Sequence, residues 1–177
     1  MIDAVETVMM EQGYAALSAR SIAEAAGLKH QLVFYYFPNM DDLLLAAYRK
    51  RIDQVSGRID EALQSDRPLQ ALWEVHSEPS QAALTVEYMA LANHNAAIRA
   101  ETVAFGERIR REGLARVGAA LRTDDEAAGV LNPFALTMVI SCVGAILGME
   151  TSLGITGGHS ETRALVQWCL DQLQARD

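Results

Sequence analysis

Apolar residues recur along this chain every three or four positions and almost never alternate. Ile2, Val5, Val8 and Met9 mark a first helix ending near Gln12, with Gly13 as its C-cap. Leu17-Ser18 opens a second helix with Ser18 as N-cap, its body running from Ser21 to Ala26. A turn follows at Gly27, then a third helix from about Lys29 to Tyr36. Ala23, packing small, and Gly27, free to take a left-handed conformation, are what a helix-turn-helix needs at those places. Leu32 and Val33 are expected in the core, with Lys29, His30, Gln31 and Tyr35 facing outward. Pro38 forbids continuation, and Asn39 before Met40-Asp41-Asp42 reads as the N-cap of a new helix with an acidic first turn.

That helix is long, from Asp41 to about Gln64, with Leu44, Ala47, Tyr48, Ile52, Val55, Ile59 and Leu63 on one face. Its cluster Arg49-Lys50-Arg51 reads as a solvated face. Pro68 starts the next helix, marked by Leu69, Leu72, Trp73 and His76, and Ser77-Glu78-Pro79-Ser80 interrupts it. Leu84, Glu87, Tyr88, Leu91 and Ala92 carry a further helix to the polar turn Asn93-His94-Asn95. Ile98, Thr102, Phe105, Ile109, Val117 and Leu121 define another, ended or re-capped at Thr123-Asp124-Asp125-Glu126. Residues 132–149 form an uncharged run of eighteen. Its length alone admits a membrane span. Pro133, Ser141, Gly144 and Gly148, in a single isolated run, favour instead a helix buried on both sides, against its own domain and a partner subunit. Ala164, Leu165, Trp168, Cys169 and Leu173 make the last amphipathic helix.

Composition agrees with an all-α chain: half of the 177 residues are hydrophobic, rich in Ala, Leu and Met, enough for one or two small domains. Cys142 and Cys169 sit in apolar runs, so buried thiols in a reducing cytosol are expected. The amphipathic, acidic start does not read as a signal peptide. The net charge of −8 excludes a general nucleic-acid binder, but it is unevenly spread. Residues 1–51 carry five basic and six acidic side chains, and 52–177 ten and seventeen. Local placement decides phosphate contact, and most of the acid lies beyond the first third. No phosphate-binding glycine loop, Gly-x-Ser-x-Gly elbow, Cys-x-x-Cys or His-x-x-x-His occurs, so neither an enzyme nor a cofactor is expected. The histidines are scattered; His76, Glu78 and His94 could meet around a metal, but lone histidines are more often hydrogen-bonded structure, and no metal is expected.

The ordered segments IDAVETVMMEQGYAALSARSIAEAAG and GLKHQLVFYYFPNMDDLL resemble the DNA-binding domain of the TetR family of bacterial regulators. The resemblance rests on the Glu-Gln-Gly-Tyr turn, the Arg-Ser-Ile-Ala-x-x-Ala-Gly segment and the aromatic run Phe34 to Phe37 before Pro38. It implies a three-helix head over residues 1–45 and a larger helical ligand-binding and dimerisation body over 46–177. It also implies a cytoplasmic, dimeric regulator, more often a repressor, gripping a palindromic DNA operator and answering to a small organic effector. His30, Gln31 and Tyr35 would then meet base edges, and Lys29 and Tyr36 phosphates. Ser18 and Arg20 at the second helix start complete the set; Arg20 reads equally as a phosphate ligand or a solvated arginine.

Three positions depart from the family pattern. Lys29 replaces a small capping hydroxyl, Phe34 a tyrosine that donates to phosphate, and Met40 a lysine that grips the backbone. The usual basic arm before the first helix is missing or cut off. Phe34, Met40, the missing arm and the acidic balance support a rival reading, a helical small-molecule-binding or interaction protein that has lost DNA binding. Within the body, the resemblance implies that Trp73, His76, Tyr88, Met89, Phe105, Met138 and Cys142 surround an apolar effector cavity with a few polar tips, although each taken singly reads more readily as core. The two terminal helices, about 132–150 and 160–175, would pair with their copies as a four-helix bundle.

Overall fold

The computed structural model describes residues 1–120 and 132–174. Leu121 and the expected stop at Thr123–Glu126 lie outside the described residues. Within them the chain forms nine α-helices, one 3-10 turn and no strand. Helix α1 (Ile2–Gln12) ends where Gly13, at φ 82°, returns its N–H to the carbonyl of Met9. A 3-10 turn, Tyr14–Ala16, leads to α2 (Ala19–Ala25). Ser18 and Ser21 cap α2 reciprocally: each side-chain oxygen accepts the other residue's backbone N–H, at 3.1 and 3.0 Å.

Helix α3 spans Gln31–Tyr36, two residues shorter at its start than the spacing predicts. Lys29 and His30 precede it, His30 standing at the N-cap position without a side-chain cap bond. Asn39 caps α4 (Met40–Leu63) by accepting the Asp42 N–H at 2.8 Å. The breaks at Pro68 and Pro79 define α5 (Pro68–Ser77) and α6 (Pro79–His94). Asn95 caps α7 (Ala96–Ala120) by accepting the Ile98 N–H at 3.0 Å. Asn132 caps α8 (Pro133–Ser152), and α9 is His159–Gln174.

Two compact units emerge, one of residues 1–55 with 83–105, the other of 56–82 with 106–177. The first contains the three-helix head. Val5, Val8 and Met9 of α1, Ile22 and Ala23 of α2, Val33 of α3 and Leu43, Ala47 and Tyr48 of α4 close its core with Tyr88, Leu91 and Ile98. Leu32, expected in that core, is 36% exposed, because a helix of less than two turns reaches it through Val33 alone. The run Arg49-Lys50-Arg51 is not a free solvated face either. Arg49 Nε donates to Glu101 at 2.9 Å, Lys50 pairs with Asp3, and Arg51 is buried.

The second unit is organised on α5 against α8. Leu69, Leu72, Trp73, Ile140 and Leu147 are buried there, with Leu170 of α9. The helices approach so closely at the small-residue stripe that a Cβ on Gly144 would stand 3.0 Å from the His76 Cβ. One on Gly148 would stand 2.7 Å from the Cβ of Ala82, in the first turn of α6. The opposite face of α8 is open, with Phe134, Val139 and Ile146 exposed. Cys142 lies exposed and Cys169 partly so, both as free thiols, which corrects the expectation that both are buried.

Candidate nucleic-acid interface

The turn between α2 and α3 is built by the backbone. Gly27, at φ 67°, lets its own N–H reach the Glu24 carbonyl at 3.0 Å and the Leu28 N–H reach Ala23 at 2.8 Å. That double closure stops α2 sharply and redirects the chain into α3. Val33 then anchors α3 from beneath, fully buried. Everything else in the segment is turned to water: Lys29, His30, Gln31, Phe34, Tyr35 and Tyr36 are all exposed.

Exposure of 53, 78 and 65% for Phe34, Tyr35 and Tyr36 has no folding rationale, since a fold buries such rings when it can. The Tyr35 and Tyr36 rings meet edge to face, centroids 5.0 Å apart, which holds two phenols in a defined relation. Two cations of the same segment, Arg20 and Lys29, are exposed without a partner among the described residues. Ser18 is exposed too, its hydroxyl engaged in capping α2.

The same unit holds polar ties that the sequence did not advertise. Glu87 of α6 accepts the Tyr14 N–H at 2.7 Å, just past the end of α1. Tyr88 donates to Glu6 at 3.3 Å and lies against Tyr48, centroids 4.8 Å apart; burial and the Glu6 carboxylate push its phenol pKa up. Asn95 donates to Asp41 at 2.7 Å, and His94 stacks on Tyr14. Spacing gave one hint only, Glu87 falling on an otherwise apolar face.

The seven residues expected around an effector divide between the units. Tyr88, buried, Met89, exposed, and Phe105, packed against the core, belong to the first. Trp73, His76, Met138 and Cys142 belong to the second. There His76 Nε2 lies 3.1 Å from Ser141 Oγ, which gives its own hydrogen to the Thr137 carbonyl at 2.8 Å. With that hydrogen committed, the Ser141 oxygen is placed to accept from His76 Nε2. Burial, helped by the Arg58 charge, lowers the His76 pKa to about 4. Two clefts open on this unit. One of about 540 Å³ is lined by Arg58, Glu61, Glu74 and Glu78, and one of about 380 Å³ by Cys142, Ile146, Glu150 and His159. Trp73, His76 and Met138 line neither. Among the described residues no group of three His, Cys, Asp or Glu could hold a metal ion.

The family model for bacterial regulatory proteins of the tetR family matches residues 1–47, which are the capped and turned segment just described. Residues 1–47 thus carry the sequence pattern of a TetR-family DNA-binding head. The chain is also similar over 61 residues to the fatty acid metabolism regulator protein of Bacillus subtilis (strain 168), at 31% identity. That match spans 34% of this chain and 31% of the relative, so the chain covers about a third of that protein's length. The fold is similar throughout to a transcriptional regulator from Rhodococcus sp. Rha1, at a TM-score of 0.72 and 18% identity, covering 98% of this chain and 91% of the other. A transcriptional regulator from Saccharomonospora viridis, solved in complex with choline, gives a TM-score of 0.73 at 17% identity over 99% and 94% of the two chains. The all-α fold, a helix-turn-helix head with a larger helical body, is thus shared with these structures over the described chain.

Proposed function

We propose that this chain is a homodimeric, effector-responsive transcriptional regulator, acting as a repressor on a palindromic DNA operator in the cytosol. The observation that carries the reading is α3. One buried valine fixes a six-residue helix whose remaining side chains, led by His30, Gln31 and Tyr35, face solvent behind a glycine turn. Gln31 can pair bidentately with adenine, while Lys29, Tyr36 and Arg20 serve phosphates. Phe34, lacking a hydroxyl, contributes ring contact alone, and Ser18 holds the α2 end in place.

Pairing is supported by the open apolar faces of α8 and α9, where Val139, Ile146, Leu165 and Trp168 are exposed. A two-fold pair would set its two heads in successive major grooves, roughly 34 Å apart or a small multiple of that. The effector is a small organic molecule, and choline, bound by the Saccharomonospora viridis relative, sets a first class to try, that of small organic cations. In this chain the place to seek it is the second unit, at the cleft lined by Cys142, Ile146, Glu150 and His159.

The test is selection from random duplex DNA. A palindrome should emerge, and Gln31→Ala with Tyr35→Ala should reduce its binding at least a hundredfold while the oligomeric state is kept. Unaltered gel shifts in that double variant would reject the assignment.

A further inference from the structure

The cleft of about 380 Å³ lies wholly within the second unit, between α8 and the entry to α9. Its floor is one stripe of α8, where Cys142, Val143, Ile146, Leu147 and Glu150 recur at helical intervals. Its wall is Gly157, Gly158, His159 and Thr162. The chemistry of the stripe changes from end to end. Roughly two turns of helix, about 12 Å, separate the Cys142 thiol from the Glu150 carboxyl, and the side chains between them are aliphatic.

The Glu150 end is rich in acceptors. His159, only 8% exposed, donates from Nε2 to Glu150 Oε2 at 2.8 Å, which fixes the carboxylate in place. Glu150 Oε1 has no partner among the described residues, and no lysine or arginine lines the cleft. Thr162 gives its hydrogen to the Gly158 carbonyl at 2.8 Å, so its oxygen is left to accept. The N-terminus of α9 attracts anions with about half a charge, which a full carboxylate beside it outweighs. A cation that carries N–H donors therefore fits this end, and an anion does not. Quaternary ammonium is held best among aromatic faces, but the imidazole of His159 is the one ring in this lining. Such a head also has no hydrogen to give to Glu150.

We propose that this cleft binds a protonated alkyl amine. Its ammonium donates to Glu150 and Thr162, and its tail lies on Val143, Ile146 and Leu147 toward Cys142. That such an amine is the effector rests on the regulatory reading above; that the cleft holds it rests on the cleft alone. Among small organic cations the site thus favours amines that carry N–H over choline. Ile146 belongs also to the face proposed for pairing, so in the proposed dimer the cleft lies at the seam.

Titration calorimetry on the full chain without DNA tests the site, with n-octylamine as the probe. It should bind at least tenfold tighter than octyltrimethylammonium or n-octanol, and octanoate should not bind. Glu150→Gln keeps the shape and an acceptor for His159 but removes the charge. It should weaken n-octylamine at least tenfold and leave n-octanol within about twofold. Equal affinity across the head groups, or an amine preference that survives in Glu150→Gln, would overturn the proposal. Should that variant fail to fold, the head-group series on the wild-type chain decides by itself. A wild-type chain that selects no duplex would sink the regulatory reading alone, leaving the calorimetry to decide the site.

Discussion

At the scale of the residue, the decisive side chains are those whose surroundings contradict their type. Tyr35 and Tyr36 are large rings left in water, and His76 is a titratable ring taken out of it. For His76 this has a sign. The unfolded chain binds a proton at the ordinary value of 6.5, the folded chain only near pH 4. Stability is therefore complete above pH 6.5 and falls as the pH drops toward 4, by about 3 kcal/mol over the whole window. Urea midpoints at pH 7 and pH 5 should differ accordingly, and His76→Gln should flatten the difference. The exposed tyrosines were legible as candidates, because the glycine turn before them and the proline after them are local signals. The burial of Arg51 and the pairing of Arg49 and Lys50 were not legible. For Arg49 and Lys50 the partners stand 52 and 47 residues away, beyond the reach of any periodic pattern.

At the scale of the element, caps and breaks follow sequence closely, since each is settled by a few adjacent residues. Ser18, Asn39, Asn95 and Asn132 cap the helices they precede, and Pro68 and Pro79 begin new ones. The weakest boundary was the start of α3, where Lys29 and His30 lie outside the helix because neither offers a side-chain cap. Helix α8 shows a different kind of ambiguity. A run apolar all round says that both faces are covered without saying by what. The structure turns Gly144 and Gly148 inward with Ile140 and Leu147 and leaves Phe134, Val139 and Ile146 outward. Gly148→Ala should therefore force α8 from Ala82 and lower stability by about 1–3 kcal/mol, read as a drop of several degrees in Tm. A Tm equal to that of the wild type would show that the approach relaxes freely.

At the scale of the whole molecule, charge limits how the proposed regulator can hold DNA. With Arg49, Lys50 and Arg51 engaged within the chain, each head offers two exposed cations, Arg20 and Lys29. A dimer would then neutralise about four phosphates, so the logarithm of its affinity should fall with the logarithm of salt at a slope of about −4 or shallower. A slope near −10 would show phosphate contacts that the heads do not present. The division of the expected effector residues between two units is likewise a property of the whole chain. Helical spacing picked out Trp73 and Tyr88, which are buried, together with Met89 and Cys142, which are exposed.

The open faces of α8 and α9 carry one more consequence. If a second copy covers them, folding and assembly are one equilibrium, and the chain's thermal midpoint must climb with its concentration by mass action. Trp168→Glu should abolish that climb and leave a monomer by sedimentation. For a regulator present in few copies per cell, dilution would then act as a control of its own, setting how much of the chain persists long enough to find its target.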